Sequence, residues 1–261
     1  MPIQKNMKSV RLMQLEQYIT DREFVSIEEI CDKFNIHPNT ARSDIKELVA
    51  RGVAQKRYGG VTYSTANLPI SFRERQEKNI QAKRSIGLAA SQLLNEDDVI
   101  YVDAGTTALM LFLAAKSLPK RLTVITNNLD VVAWAARNTD YTVFVLPGKV
   151  NRQLNALASL ETIDSLSAYN IKTAFLGTRG VSLKGELSST SNIDAKLKMT
   201  VIALSERVVL MADYQKINQT AMFKFASMSS VDYWACEVNN EEVRGLADKF
   251  NTLLVLSLIH I

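Results

Sequence analysis

Apolar residues recur at helical spacing from the start of the chain. Leu12, Leu15 and Ile19, with Met13 beside them, predict a first helix with Ser9 as its N-cap. Phe24 and Val25 read as a short extended link. Ser26 opens a second helix, because Glu29 follows at capping-box spacing and Glu28 adds negative charge where the helix dipole is positive. Ile27, Ile30, Cys31 and Phe34 form its apolar stripe. Asn35 and Ile36 make a tight turn, and Pro38 suits the first turn of a third helix, where its missing N–H costs nothing. On that helix Ala41, Ile45, Leu48 and Val49 point inward, and Asn39, Thr40, Arg42, Ser43 and Lys46 point outward. Gly52 stops it. Residues 53–56 and 61–63 then alternate like two strands, and Arg57-Tyr58-Gly59-Gly60 turns between them because glycine accepts positive φ.

From residue 72 the pattern changes scale. Residues 64–71 are polar and predict a linker. Ile80, Ile86, Ala89, Ala90, Leu93 and Leu94 predict one long helix over 72–94. Strands are then expected over 99–102, 122–125, 142–146, 173–176 and 207–211, with helices over 107–115, 129–136 and 193–204. Residues 252–256 can supply a last strand. Alternating strands and helices predict an α/β domain with a largely parallel sheet. The expected organisation is a DNA-binding unit over 1–63, a linker and start of a connecting helix over 64–78, and an effector-sensing and oligomerisation domain over 79–261.

Composition narrows the function. An apolar share of 47% in 261 residues is enough for a sizeable core. No apolar run reaches the roughly 20 residues needed to cross a bilayer, and 253–261 is too short. Residues 1–10 are polar, so no secretory signal is expected. Cys31 and Cys236 each sit in an apolar pattern and read as core, which fits a reducing cytoplasm. His37 and His260 have no metal-ligand spacing, so neither a metal site nor a Ser-His-Asp triad is expected; no cofactor is implied.

The net charge of +4 permits nucleic-acid binding without showing it. Its distribution says more. Arg42, Lys46, Arg51, Lys56 and Arg57 crowd one stretch against Asp44 and Glu47 alone. A solvated helix face would explain the charge by itself. Together with two short helices, a tight turn and a following hairpin, it reads as a winged helix-turn-helix on double-stranded DNA. The DNA-binding set is Ser26, Pro38, Asn39, Thr40, Arg42, Ser43, Lys46, Lys56, Arg57 and Tyr58, with Arg42 the main candidate for a base or phosphate.

In the larger domain, polar residues gather where strands end, the place where open α/β sheets bind ligands. Asp103, Gly105, Thr106 and Thr107 follow one strand, and the expected helix start there suits an anion. Thr126, Asn127 and Asn128 end the next, Gly177 and Arg179 a third, and Asp213 with Lys216 a fourth. Phosphate donors beside acceptors for hydroxyls point to a phosphorylated sugar. Any one of these loops alone is more often a helix-capping turn; their repeated position at strand ends carries the reading.

The stretch Val25-Ser26-Ile27-Glu28-Glu29-Ile30, Thr40-Ala41-Arg42-Ser43-Asp44-Ile45 and Arg57-Tyr58-Gly59-Gly60 resembles the DeoR-type helix-turn-helix. His37 stands where that family usually has a capping Ser, and Ser43 where its second Arg lies. The second half resembles the DeoR sensor in Asp103 to Thr107, Val124 to Asn127, Phe175 to Gly177, Ala195 with Lys198, and Ala212-Asp213 with Lys216. That resemblance implies a fold similar to ribose-5-phosphate isomerase, adds Lys198 to the effector set, and implies a homo-oligomer, dimer or tetramer. Pro147-Gly148, Ala158 to Glu161, Asp194 and Tyr214-Gln215 depart from the family pattern near the expected pocket. The implied function is a repressor of a carbohydrate operon, relieved by a sugar phosphate. The rival is a sugar-phosphate isomerase with an appended DNA-binding domain, using Asp103, Asp213, Lys198 and Lys216 as acid and base; its catalytic acidic run is not recognisable. On the repressor reading, Asp103→Ala is expected to abolish ligand response while sparing DNA binding.

Overall fold

The computed structural model describes residues 8, 11, 12, 14–16, 18, 19, 22, 24–50, 54–63 and 72–257. Ser9, Met13, Arg51, Gly52, Val53, the expected linker over 64–71 and the tail after Ser257 lie outside them. The chain divides into two compact units, 1–70 and 71–261.

In the first unit the described residues between 11 and 19 are helical. Strand β1 (Val25–Ser26) leads into α1 (Ile27–Phe34), followed by α2 (Pro38–Ala50), β2 (Ala54–Arg57) and β3 (Gly60–Tyr63). The residues expected to be a mere link instead pair with the hairpin: Val25 lies opposite Val61, giving an antiparallel sheet of order β1-β3-β2. The capping box forms as expected. Ser26 Oγ accepts from the Glu29 N–H at 3.1 Å, and the Ser26 N–H donates to the Glu29 carboxylate at 2.8 Å. Asn35, in the left-handed region at φ 47°, ends α1. Leu12, Leu15, Ile19, Ile30, Ala41, Ile45, Leu48 and Val61 form the core. Val49, expected inward, is exposed.

The second unit opens with α3 (Phe72–Glu77) and α4 (Ile80–Ser91). The single helix expected over 72–94 is therefore broken. Asn79 takes φ 56° between the two pieces, a conformation asparagine tolerates better than most residues. Then come β4 (Asp98–Val102), α5 (Met110–Leu113), β5 (Leu122–Thr126), α6 (Leu129–Asn138), β6 (Thr142–Val145), the hairpin β7 (Val150–Asn151) and β8 (Ala156–Leu157), α7 (Leu160–Asp164) and β9 (Ile171–Leu176). The chain continues with β10 (Gly180–Val181), β11 (Glu186–Ser189), α8 (Asn192–Leu204), β12 (Ser205–Met211), β13 (Phe223–Ser227), β14 (Tyr233–Ala235), α9 (Glu241–Lys249) and β15 (Leu253–Val255).

Among the described residues, seven strands make one parallel sheet of order β15-β14-β12-β9-β4-β5-β6. Side chains alternate across it. Tyr101, Ala174 and Leu210 join one core with α8 and α9, whereas Ile100, Val102, Phe175 and Val209 join another with α4, α5 and α6. Both faces are thus buried, which explains why these strands read as continuous apolar runs. A Cβ on Gly87 would stand 2.2 Å from the Met110 carbonyl oxygen, so glycine is what lets α4 and α5 touch. A second sheet, β10-β11-β13, is antiparallel and had no clear pattern in the sequence. The helix expected over 107–115 shrinks to α5. Before it the chain makes i to i+3 turns, with Ala108 N–H on Gly105 O and Met110 N–H on Thr107 O.

Candidate functional site

On the first unit, α2 presents Pro38, Asn39, Arg42, Ser43 and Lys46 to solvent, with Thr40 half-buried. Arg42 Nη1 donates to Asn39 Oδ1 at 3.3 Å. The two acidic residues that diluted this stretch are engaged elsewhere. Buried Asp44 accepts from Arg11 Nε at 2.6 Å and Nη2 at 3.3 Å, and Glu47 meets Lys8 Nζ at 2.5 Å. Their pairing leaves the outer face more positive than the sequence count implies. His37, standing where a serine was expected, keeps a capping role: its Nδ1 accepts from the Asn39 N–H at 3.3 Å. Ser26 has its hydroxyl inside the capping box. Lys56 and Arg57 are exposed on β2, and Tyr58 projects fully into solvent at the β2–β3 turn, where Gly59 takes φ 76°.

In the second unit, β4 runs on to β5 and β6 on one side of the sheet, while β9, β12, β14 and β15 occupy the other. The β4–β9 seam is where strand order reverses, the crevice in which open sheets of this kind take ligands. Asp103 follows β4 and Gly177 follows β9. Asp103 is fully buried, and its Oδ2 accepts from Gly177 N–H at 2.9 Å and from Lys198 Nζ at 2.7 Å. Lys198 also donates to Gly177 O at 2.7 Å and stands 3.6 Å from Asp194. Burial disfavours the lysine charge, but Asp103 and Asp194 more than offset that, so its pKa is raised and the ammonium persists. Burial, with Asp103 adding to it against the opposing pull of Lys198, raises the Asp194 carboxyl, which takes a hydrogen bond from Ser189 Oγ at 2.6 Å.

Around this clasp the charges are unequal. Arg75 from α3 and Arg179 from the β9–β10 turn are both pushed down, first by burial; Arg75 reaches about 10, with the like charge of Arg179 deepening the fall and Asp194 and Asp103 resisting it. Lys216 is lowered by burial, a fall opposed by Asp213 and deepened by Arg179, Lys78 and Arg75. Lys83 on α4 falls to about 8, again first from burial, with Asp213 opposing and Lys216, Arg75 and Lys78 adding to it. Arg75, Lys78, Lys83, Arg179 and Lys216 thus feel one another and the carboxylates of Asp103, Asp194 or Asp213, with Lys78 itself exposed. Among the described residues, three buried side-chain atoms have no hydrogen-bond partner: Arg75 Nε, Asp103 Oδ1 and Asp213 Oδ1. Unsatisfied buried donors and acceptors of this kind are rare without an occupant.

Other residues from the sequence set are engaged with the protein itself. Thr126 Oγ1 donates to Val102 O at 2.7 Å and accepts from Asn128 N–H at 3.0 Å. Asn127 holds Tyr101 OH and Leu157 O. Asn128 caps α6 through Asp130 N–H and ties Asp103 O at 3.0 Å. They hold the strand ends in place. Thr106 is buried and Gly105 and Thr107 half-buried beside Asp103. Because α5 starts only at Met110, no α-helix opens at the Gly105-Thr106-Thr107 turn, and the helix-dipole argument for that turn does not hold. Arg75, Lys83 and Ser189 were not singled out, and Asp194 was noted only as a departure from the family pattern. Arg75 and Lys83 stand eight apart on what read as one helix, and the break at Asn79 separates them onto two helices, with Lys83 Nζ reaching back to the end of the first.

The two units match two family models in order. The DeoR-like helix-turn-helix domain covers residues 11–67, and the DeoR C terminal sensor domain covers residues 78–237. The HTH-type transcriptional regulator IolR of Bacillus subtilis is 28% identical over 84% of this chain and 87% of its own length. The glycerol-3-phosphate regulon repressor of Escherichia coli is 23% identical over 83% of this chain and 85% of its own. Ribose 5-phosphate isomerase A from Neisseria gonorrhoeae aligns with a TM-score of 0.35 at 16% identity over 52% of each chain, too distant a likeness to carry an argument.

Proposed function

The chain belongs to the DeoR family of transcriptional regulators, and from that premise we propose that it represses a carbohydrate operon until a phosphorylated sugar enters the β4–β9 crevice. The observation that carries this reading is the cation excess around that crevice, where Arg75 Nε, Asp103 Oδ1 and Asp213 Oδ1 are buried without partners. A phosphate suits Arg179 and Lys216, and sugar hydroxyls suit the two carboxylate oxygens. The name of one relative, the glycerol-3-phosphate regulon repressor, agrees with a phosphate-bearing signal.

On the DNA side, α2 lies in the major groove, with Arg42, Asn39 and Ser43 toward base edges and Lys46, Lys56, Arg57 and Tyr58 toward the backbone. A homo-oligomer with two-fold symmetry would read paired half-sites. The sensor is a receptor and not an enzyme. Both family models describe parts of regulators, and Lys198, one of the four groups the isomerase reading needs, is held by Asp103 and Gly177 O with its proton retained.

Thermal-shift screening against pentose and hexose phosphates, each beside its unphosphorylated sugar, tests the reading. A ligand at a hundred times its Kd adds about 2.7 kcal/mol of stability. The same compound should weaken binding to a duplex selected in vitro about tenfold, a coupling of about 1.4 kcal/mol. Absence of any phosphate-dependent shift, or turnover of the sugar phosphate, refutes it.

A further inference from the structure

The corner between α3 and α4 is bolted at three points. Lys83 Nζ on α4 donates to the carbonyl oxygens of Arg75, of Lys78 at 2.6 Å and of Gln76 at 3.5 Å, so one ammonium closes the end of α3. Arg75 Nη2 donates to Gln153 O, in the loop between β7 and β8. Asn79 Nδ2 donates to Gln215 Oε1 at 2.9 Å, in the turn between Asp213 and Lys216. Arg75 also stacks its guanidinium 5.2 Å from the Phe72 ring centroid. Its Nε remains buried with no partner among the described residues, beside the like charge of Arg179. A half-buried guanidinium whose Nε lacks an acceptor, and on which the like charge of a second arginine acts, is suited to an anion.

We propose that Arg75 is a phosphate ligand of the sensor, and that α3 is the arm through which occupancy of the crevice is passed to the link before it. α3 begins at Phe72, two residues beyond the boundary between the two units, so it is the first sensor element after the link in sequence. With the crevice empty, Arg75 and Arg179 repel and Arg75 Nε lacks an acceptor, which leaves α3 held by the Gln153 and Lys83 contacts. A phosphate oxygen shared between Arg75 and Arg179 removes both costs and fixes α3 against the strand ends. Differential order in one element is sufficient for coupling. This inference rests on the proposed effector reading but makes a narrower claim, because it assigns the signal's exit to one helix.

The test uses the full chain with inorganic phosphate as probe, against chloride at equal ionic strength. Phosphate should raise the melting temperature and slow hydrogen exchange of amides 72–79. Arg75→Gln should weaken the phosphate effect about tenfold or more, as expected for losing one charge-assisted contact. Arg75→Lys should restore part of the affinity without the protection of 72–79, since a lysine cannot make the Nε contact. An undiminished phosphate response in Arg75→Gln, or phosphate binding with no change in exchange over 72–79, overturns the proposal. A wild-type chain that ignores inorganic phosphate overturns it too, while a response to sugar phosphates alone would leave the broader effector reading standing.

Discussion

Arg42, Lys46, Lys56 and Arg57 hold their charges in water, whereas Lys83 and Lys198 hold theirs largely out of it, with Arg75 half-buried beside them. The reader is a positive face on a scaffold whose core is Leu12, Ile30, Ile45 and Leu48. Those charges can change without disturbing that core. In the sensor the charges are themselves part of the interior: Asp103 clamps the ends of β4 and β9 by binding Gly177 and Lys198. Recognition and stability are separable in the first unit and fused in the second.

The sharpest break of this contrast is Lys198→Met. It leaves Asp103 and Asp194 buried without their shared cation, and should cost about 3–5 kcal/mol by urea unfolding. By the same reasoning Asp103→Ala, expected from the sequence to remove ligand response and leave DNA binding intact, should also destabilise the sensor. A small loss at Lys198 would show that these charges are less interior than described. Next in size is Arg42→Ala, which should lower affinity for the selected duplex by about 1–3 kcal/mol. Its unfolding midpoint should stay within about 0.5 kcal/mol of the parent. A stability loss there would blur the comparison from the other side.

The smallest effect is on pH. In the folded chain Lys83 is pulled down, chiefly by burial, to about 8, against 10.5 when unfolded. Between those values the unfolded chain holds a proton that the folded chain has released. Stability of the phosphate-free protein should therefore gain a contribution that rises with pH from about 8 to about 10.5, by at most about 1.4 kcal/mol per pH unit. Phosphate favours the charged lysine, so its binding should take up protons and weaken over the same range. Calorimetry in buffers of different ionisation enthalpy reads this directly; proton release on binding would contradict it.

Much of this architecture is legible in local signals. Ser26 and Glu29 announce α1, Pro38 starts α2, and β4, β5, β9 and β12 stand out because a sheet buried on both faces needs unbroken apolar runs. What escaped the sequence depends on distant partners. Val25 becomes a strand only because Val61 lies opposite it. Asp44 reads as a surface acid until Arg11, thirty-three residues away, is seen to cover it. Asp103, Gly177, Asp213 and Lys216 could be found because strand ends are recognisable. Arg75 and Lys83 could not, since a helix pattern over 72–94 hides the left-handed residue at Asn79 that breaks it and lets Lys83 close the end of α3.

The seam between β4 and β9 has a consequence for how the protein is made. On the ribosome β4, β5 and β6 emerge in order and can pair as they appear, but the other neighbour of β4 starts only at Ile171. Until then a nascent chain carries an open central edge, the kind of template on which strands from other chains pair. Closing it brings Gly177 to Asp103, so the step that covers this edge also forms the first wall of the crevice, before Lys198, Asp213 and Lys216 arrive with α8 and β12.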